Sequence, residues 1–195
     1  MPSKSVLERG FKAEAERIAE HYRQELAISK FDPLDAFDLA ELLDIPIFSV
    51  DDVFGDRRSG ADYWALSDTI KFHATWMKNE DGDKVIIHNT NHSLYRQQSN
   101  IMHELAHIIR KHEIPQGLLS LQMPFNLHYY NPLHEQEAKY WGGCLQITRS
   151  GLQWAIKNMH ESEMSDYYKA SSEMVRYRLN ITGVKKQWGN RNYFK

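Results

Sequence analysis

His103-Glu104-Leu105-Ala106-His107 sets two imidazoles and a carboxylate on adjoining turns of one helix. At 3.6 residues per turn, positions four apart lie about 40° from each other, so both rings reach a single cation. Glu104 falls beside them, too close in the chain to be a comfortable ligand but well placed to take a proton from water. This spacing is the mark of a zinc-dependent peptidase helix. Working outward, Ser93 is the expected N-cap, and the helix runs through Ile101, Met102, Leu105, Ala106, Ile108 and Ile109 before stopping ahead of Pro115. Apolar residues flank the His pair on both sides, so the helix is expected to be buried. Its His and Glu side chains then need partners, and a metal supplies one.

Immediately upstream, Lys84 to Asn89 is the best strand candidate in the chain, preceded by a strong turn signal at Asn79-Glu80-Asp81-Gly82-Asp83 and by β-like stretches at Tyr63 to Leu66 and Thr69 to His73. Together they predict a small antiparallel sheet just before the HExxH helix. Residues 51 to 61, rich in Asp, Arg and Gly, read as a loop, and Ile45 to Val50 as a further short strand. Toward the N-terminus, Leu7, Phe11, Ala15, Ile18, Tyr22 and Leu26 recur at helical spacing from Ser5 to Ile28, and Asp32-Pro33 opens a second helix over Leu34 to Leu43. Downstream, residues 114–132 read as a long loop. Helical periodicity resumes at Leu133 and continues to about Ile181, with breaks near Thr148 to Gly151 and Glu161 to Ser165. The expected organisation is one domain over 1–195: N-terminal helices 5–44, sheet and active-site helix 45–113, loop 114–132, C-terminal helices 133–183 and a basic, aromatic tail 184–195. The fold class is α+β, mostly helical.

A chain of 195 residues with 42% hydrophobic content supports one sizeable core and is short for two enzyme domains. A net charge of −2 gives no bulk attraction to nucleic acid or anionic membrane. Arg176, Arg178, Lys185, Lys186 and Arg191 form a C-terminal basic cluster, which reads as a solvated face, so no direct nucleic-acid partner is expected. No apolar run approaches the roughly 20 residues needed to span a bilayer. The charged start of the chain does not resemble a signal peptide, so a cytoplasmic location is expected. Cys144 is the only cysteine, which rules out an intrachain disulfide and a cysteine-based zinc site. Any metal must rest on His and carboxylate.

Two His ligands leave a four-coordinate metal short of one protein donor. His112, His128, His134, Glu135 and Glu137 are the downstream candidates. Continued helical geometry puts His112 about 140° around from His107, pointing away. Glu135 and Glu137 face about 160° apart on a helix, so only one of them addresses the metal.

The segments Phe11-Lys12-Ala13-Glu14-Ala15-Glu16-Arg17-Ile18-Ala19, Asp32-Pro33-Leu34-Asp35, Asp44-Ile45-Pro46, Asn100 to His107 and Glu135-Gln136-Glu137-Ala138 together resemble the ImmA/IrrE family of metallo-endopeptidases. The likeness spans roughly residues 5 to 185. It implies a zincin-like fold of the gluzincin type, with Zn2+ held by His103, His107 and Glu135, and with Glu104 as general base; Glu137 and His134 remain competitors for the third position. Family members occur in bacteria and their mobile elements, and several cleave a helix-turn-helix repressor to release transcription. The implied partner is therefore a repressor substrate. The alternative is a zinc-stabilised anti-repressor that holds its partner without cutting it. For transition-state stabilisation, His88, His92, Tyr129 and Tyr130 are the polar candidates, and the edge of the strand Lys84 to Asn89 is a candidate site for an extended substrate. The chain departs from the family pattern at Lys139, where Asn or Asp is usual and could support a ligating His, at Gly142-Gly143, where Ala is usual, and at Thr148, where Pro often ends the helix.

Overall fold

The computed structural model describes residues 7–54, 73–79, 81–113 and 131–187. The β-like stretch at Tyr63 to Leu66, most of the loop 114–132 and the end of the tail lie outside them. In chain order the elements are α1 (Phe11–Glu25), α2 (Ala36–Leu42), β1 (Ile47–Ser49), α3 (Val50–Phe54), β2 (Ala74–Lys78), β3 (Lys84–His88), α4 (Leu94–Ile109), α5 (Pro132–Gln146), α6 (Arg149–Asn158), α7 (Met164–Tyr167) and α8 (Ser172–Thr182). The α+β class expected from the sequence is what the structure shows.

The sheet has the order β1-β3-β2. Asn79 N–H donates to the Asp83 carbonyl at 2.8 Å and Gly82 adopts φ +89°, so the foreseen turn closes an antiparallel hairpin. Counting back from it pairs Lys78 with Lys84 and Trp76 with Ile86. The strand before the turn is therefore Ala74–Lys78, downstream of the stretch that propensity favours. The third strand departs from an all-antiparallel sheet: β1 runs parallel to β3, with Ile47 opposite Ile86. Parallel neighbours need a crossover of a dozen or more residues, which the chain between Ser49 and Lys84 provides. β3 is thus the central strand, buried from Val85 to His88. With a neighbour on each side, it has no free edge for a substrate. Among the described residues, the edges belong to β1 and β2.

α4 lies across this sheet and packs against α5, which in turn packs on α1. Ile101, Met102, Leu105 and Ala106 are fully buried in one apolar cluster with Leu39, Ile86, Ala138 and Leu145. A second cluster, built from Ile147, Leu152, Met164, Tyr168, Val175 and Leu179, fills the C-terminal helices. The seam between the two is polar. Arg23 donates to the Gln146 carbonyl at 3.1 Å, and Arg178 to the Ile147 carbonyl at 2.8 Å and to Glu16 at 2.6 Å. Arg178 is fully buried, which removes it from the basic surface expected near the C-terminus. Lys185 of that cluster pairs with Glu161. Among the described residues, no helix is long and apolar enough to cross a membrane.

Candidate metal centre

α4 begins after Ser93, the expected N-cap position, although the Ser93 hydroxyl makes no capping bond. Its HExxH turn presents His103 and His107 on the face that meets α5. The start of α5 is fixed by Asn131, whose side chain accepts from the amides of Leu133 and His134, and by Pro132 in the first turn. Glu135 follows in that first turn, where the helix dipole favours a negative charge. Two independent helix starts therefore aim three side chains at one point.

His103 Nε2 and His107 Nε2 stand 3.1 Å apart. Glu135 places Oε2 3.1 Å from His103 Nε2 and Oε1 3.4 Å from His107 Nε2. Donors held about 2.0–2.2 Å from a tetrahedral zinc would stand roughly 3.3–3.6 Å from one another, so this set fits a metal with adjustments of a few tenths of an ångström. Among the described residues, His103, His107 and Glu135 form a cluster compatible with a metal ion. Glu137 is committed elsewhere: its Oε2 accepts from Arg110 at 2.9 Å and from His112 Nε2 at 3.0 Å.

Glu104 sits between this cluster and the sheet, its Oε2 accepting from the Trp76 amide at 3.0 Å. Burial pushes the Glu104 carboxyl up to about 7, against the opposing pull of the His103 charge and of that amide. Burial alone would lower His103, but its hydrogen bond to Glu135 and the charges of Glu104 and Glu135 outweigh this and hold it above its ordinary value. His107 is driven well below, by burial and then by the neighbouring His103 charge, which leaves it neutral.

Two features were not foreseen. The Trp76 amide is a backbone group, and no side-chain pattern announces it. His112 does not point away: the helix ends near Ile109, Lys111 takes a left-handed φ of +56°, and the chain folds back so that His112 Nδ1 meets His107 Nδ1 at 2.9 Å. His112 thus contacts the nitrogen of His107 opposite the cluster and remains outside the donor set. The helix ends at Ile109, three residues before His112, so helical spacing no longer sets the direction of the His112 ring.

The IrrE N-terminal-like domain, a peptidase family, matches residues 65–180, more than half of the chain. The chain belongs to the ImmA/IrrE family. No curated protein and no solved structure matches it. A metallopeptidase-type family and a His/Glu cluster fit for a metal therefore coincide on the same two helices. The departures from the ImmA/IrrE pattern also acquire positions. Lys139 holds its ammonium over the Tyr177 ring at 5.1 Å, and its charge is still felt at His103, where it opposes protonation. A Cβ on Gly142 would come 3.0 Å from the Met102 carbonyl and 3.1 Å from His103 Cα, so this glycine lets α5 approach α4 at the first His of the motif. Thr148 caps α6 by accepting from the Gly151 amide at 2.9 Å. Of the polar candidates for charge stabilisation, His92 bonds His73 at 3.0 Å and His88 is buried at the end of β3; Tyr129 and Tyr130, like His128, lie outside the described residues. Cys144 is fully buried with its thiol pushed up to about 12 by burial, which suits a packing group and not a nucleophile.

Proposed function

We propose that this protein is a zinc-dependent endopeptidase of ImmA/IrrE type that cuts a helix-turn-helix transcriptional repressor in the cytoplasm of a bacterium or within a mobile element, relieving repression. The observation that carries the catalytic part is the convergence of His103, His107 and Glu135 donors beside a half-buried Glu104. The repressor as substrate rests on the family likeness.

His103, His107 and Glu135 would hold the ion. Zinc bound there would supply Lewis acidity toward a water and a peptide carbonyl. Glu104 would accept a proton from the attacking water and pass it to the leaving amine. The Trp76 amide fixes one Glu104 oxygen, so the carboxylate keeps a constant orientation while it exchanges the proton. An extended peptide would add at β2, which lies against α4 and forms a sheet edge among the described residues, using backbone groups other than the Trp76 amide that Glu104 holds.

Incubation with the repressor encoded beside the gene, followed by mass spectrometry, is expected to show two fragments that vanish when a chelator is added. Glu104→Gln is expected to retain metal and repressor yet release no fragment, a loss of at least about 100-fold in rate for a removed general base. Cleavage by Glu104→Gln at the wild-type rate would overturn the assigned base. An intact repressor that stays bound to the wild-type, metal-loaded protein would replace hydrolysis with capture.

A further inference from the structure

We infer that His112, Glu137 and Arg110 are positioning residues that fix the tautomer of His107 and so present its Nε2 lone pair to the metal. The inference deepens the metal-site reading above and rests on it.

The proton directions follow from one end of the chain of contacts. Arg110 donates to Glu137 Oε2 through Nε at 3.1 Å and Nη2 at 2.9 Å, so the carboxylate meets a fixed positive charge and can only accept. The next group against the same oxygen is His112 Nε2 at 3.0 Å, which must therefore carry a hydrogen. In a neutral imidazole this leaves His112 Nδ1 as an acceptor. Its partner is His107 Nδ1 at 2.9 Å, which must donate. His107 then has no hydrogen on Nε2, the nitrogen that faces His103 and Glu135. Reversing any one bond would put a hydrogen where the ion belongs.

The relay is built into the fold. His112 reaches back because the helix closes on itself: its amide donates to the His107 carbonyl at 3.0 Å, and the Lys111 amide to the Ile108 carbonyl at 3.1 Å. The His112 ring is then clamped against His134, parallel within 2° and 4.2 Å between centroids. His112 and Glu137 are both buried, so no water is expected to substitute for either. His134 immediately precedes Glu135, which ties the orientation of His107 to the helix that carries the carboxylate ligand. Partners of this kind typically change metal affinity by roughly 10- to 100-fold when removed.

Two measurements test the relay. In the metal-free wild-type protein, long-range proton–nitrogen spectra of the imidazoles are expected to show His107 protonated on Nδ1; protonation on Nε2 would overturn the inference whatever the protein later proves to cleave. Zn2+ affinity, read by competition with a chromophoric chelator, is expected to fall roughly 10- to 100-fold in His112→Ala and in Glu137→Ala. His112→Gln, which restores an acceptor toward His107 and a donor toward Glu137, is expected to recover most of the loss and to preserve the fold if the alanine variant does not. A folded His112→Ala with unchanged zinc affinity and unchanged His107 tautomer would overturn the inference. If the wild type itself takes up no Zn2+, the metal reading fails, while the tautomer measurement still decides the relay.

Discussion

At the scale of single residues, the site depends as much on what is missing from a side chain as on what is present. Gly142 sits two turns beyond Glu135 on α5, facing the backbone of His103. Gly142→Ala gains about 1 kcal/mol of helix propensity, but the added methyl meets main chain that must move by a few tenths of an ångström. Overpacking of this kind costs typically about 1–3 kcal/mol, so the net expectation is destabilisation by about 1 kcal/mol. Because the helices that separate carry the ligands, zinc affinity is expected to fall further than thermal stability does. A more stable Gly142→Ala that binds zinc as tightly as wild type would show that the close approach is not required. The cluster compatible with a metal was legible in sequence, since four-residue spacing brings His103 and His107 together on any helix and the family likeness singles out Glu135. His112 was not, because its place depends on a reversal of the backbone at Lys111 that no side-chain period encodes.

At the scale of elements, that reversal is one of four at non-glycine positions among the described residues. Ala27, Asp44, Lys111 and Lys169 all have positive φ, and each follows a helix by the same two-bond closure, as in Ile28 N–H to the Arg23 carbonyl and Ala27 N–H to the Gln24 carbonyl. Glycine is the usual residue there, and its absence explains why α1 was expected to run to Ile28 when it ends at Glu25. Helical periods were plain in the sequence; their endpoints were not, because the punctuation was in the wrong letters. The hairpin was legible from Gly82 and the Asn and Asp around it. The parallel pairing of β1 was not, since partner choice depends on where the chain returns. For the exposed Ala27, a left-handed conformation costs about 1–2 kcal/mol, against roughly 0.4–1 kcal/mol for the freedom a glycine adds to the unfolded chain. Ala27→Gly is therefore expected to stabilise the protein by up to about 1 kcal/mol, a rise of roughly 2–4 °C in thermal midpoint. A fall in midpoint would show that the closure carries no strain.

At the scale of the whole molecule, two apolar clusters meet across a seam of buried polar groups, and the site lies wholly on one side of it. Composition suggested one core; the seam, made of residues up to 162 positions apart, could not be read from any local pattern. Arg178 is its centre. It bonds Glu16 and the Ile147 carbonyl, and its guanidinium lies 5.5 Å from the Tyr140 ring centroid, which faces a cation where Nη1 has no hydrogen-bond partner among the described residues. A Cβ on Gly143 would come 2.9 Å from Arg178 Cδ, so the glycine clears the space this side chain occupies. Arg178→Met keeps much of the volume but strands the Ile147 carbonyl and leaves the Glu16 charge to the Arg149 amide and the weak Cys144 thiol donor. Breaking a buried pair costs about 3–5 kcal/mol; with Glu16 partly exposed, the lower end applies, a drop of roughly 6–12 °C in a protein of this size. Because Arg178 joins the clusters, a single calorimetric transition is expected in the wild type, with the drop present with and without zinc. If Arg178→Met instead left the midpoint in place, the seam would be a passive boundary and the two clusters would owe their docking to apolar contact alone.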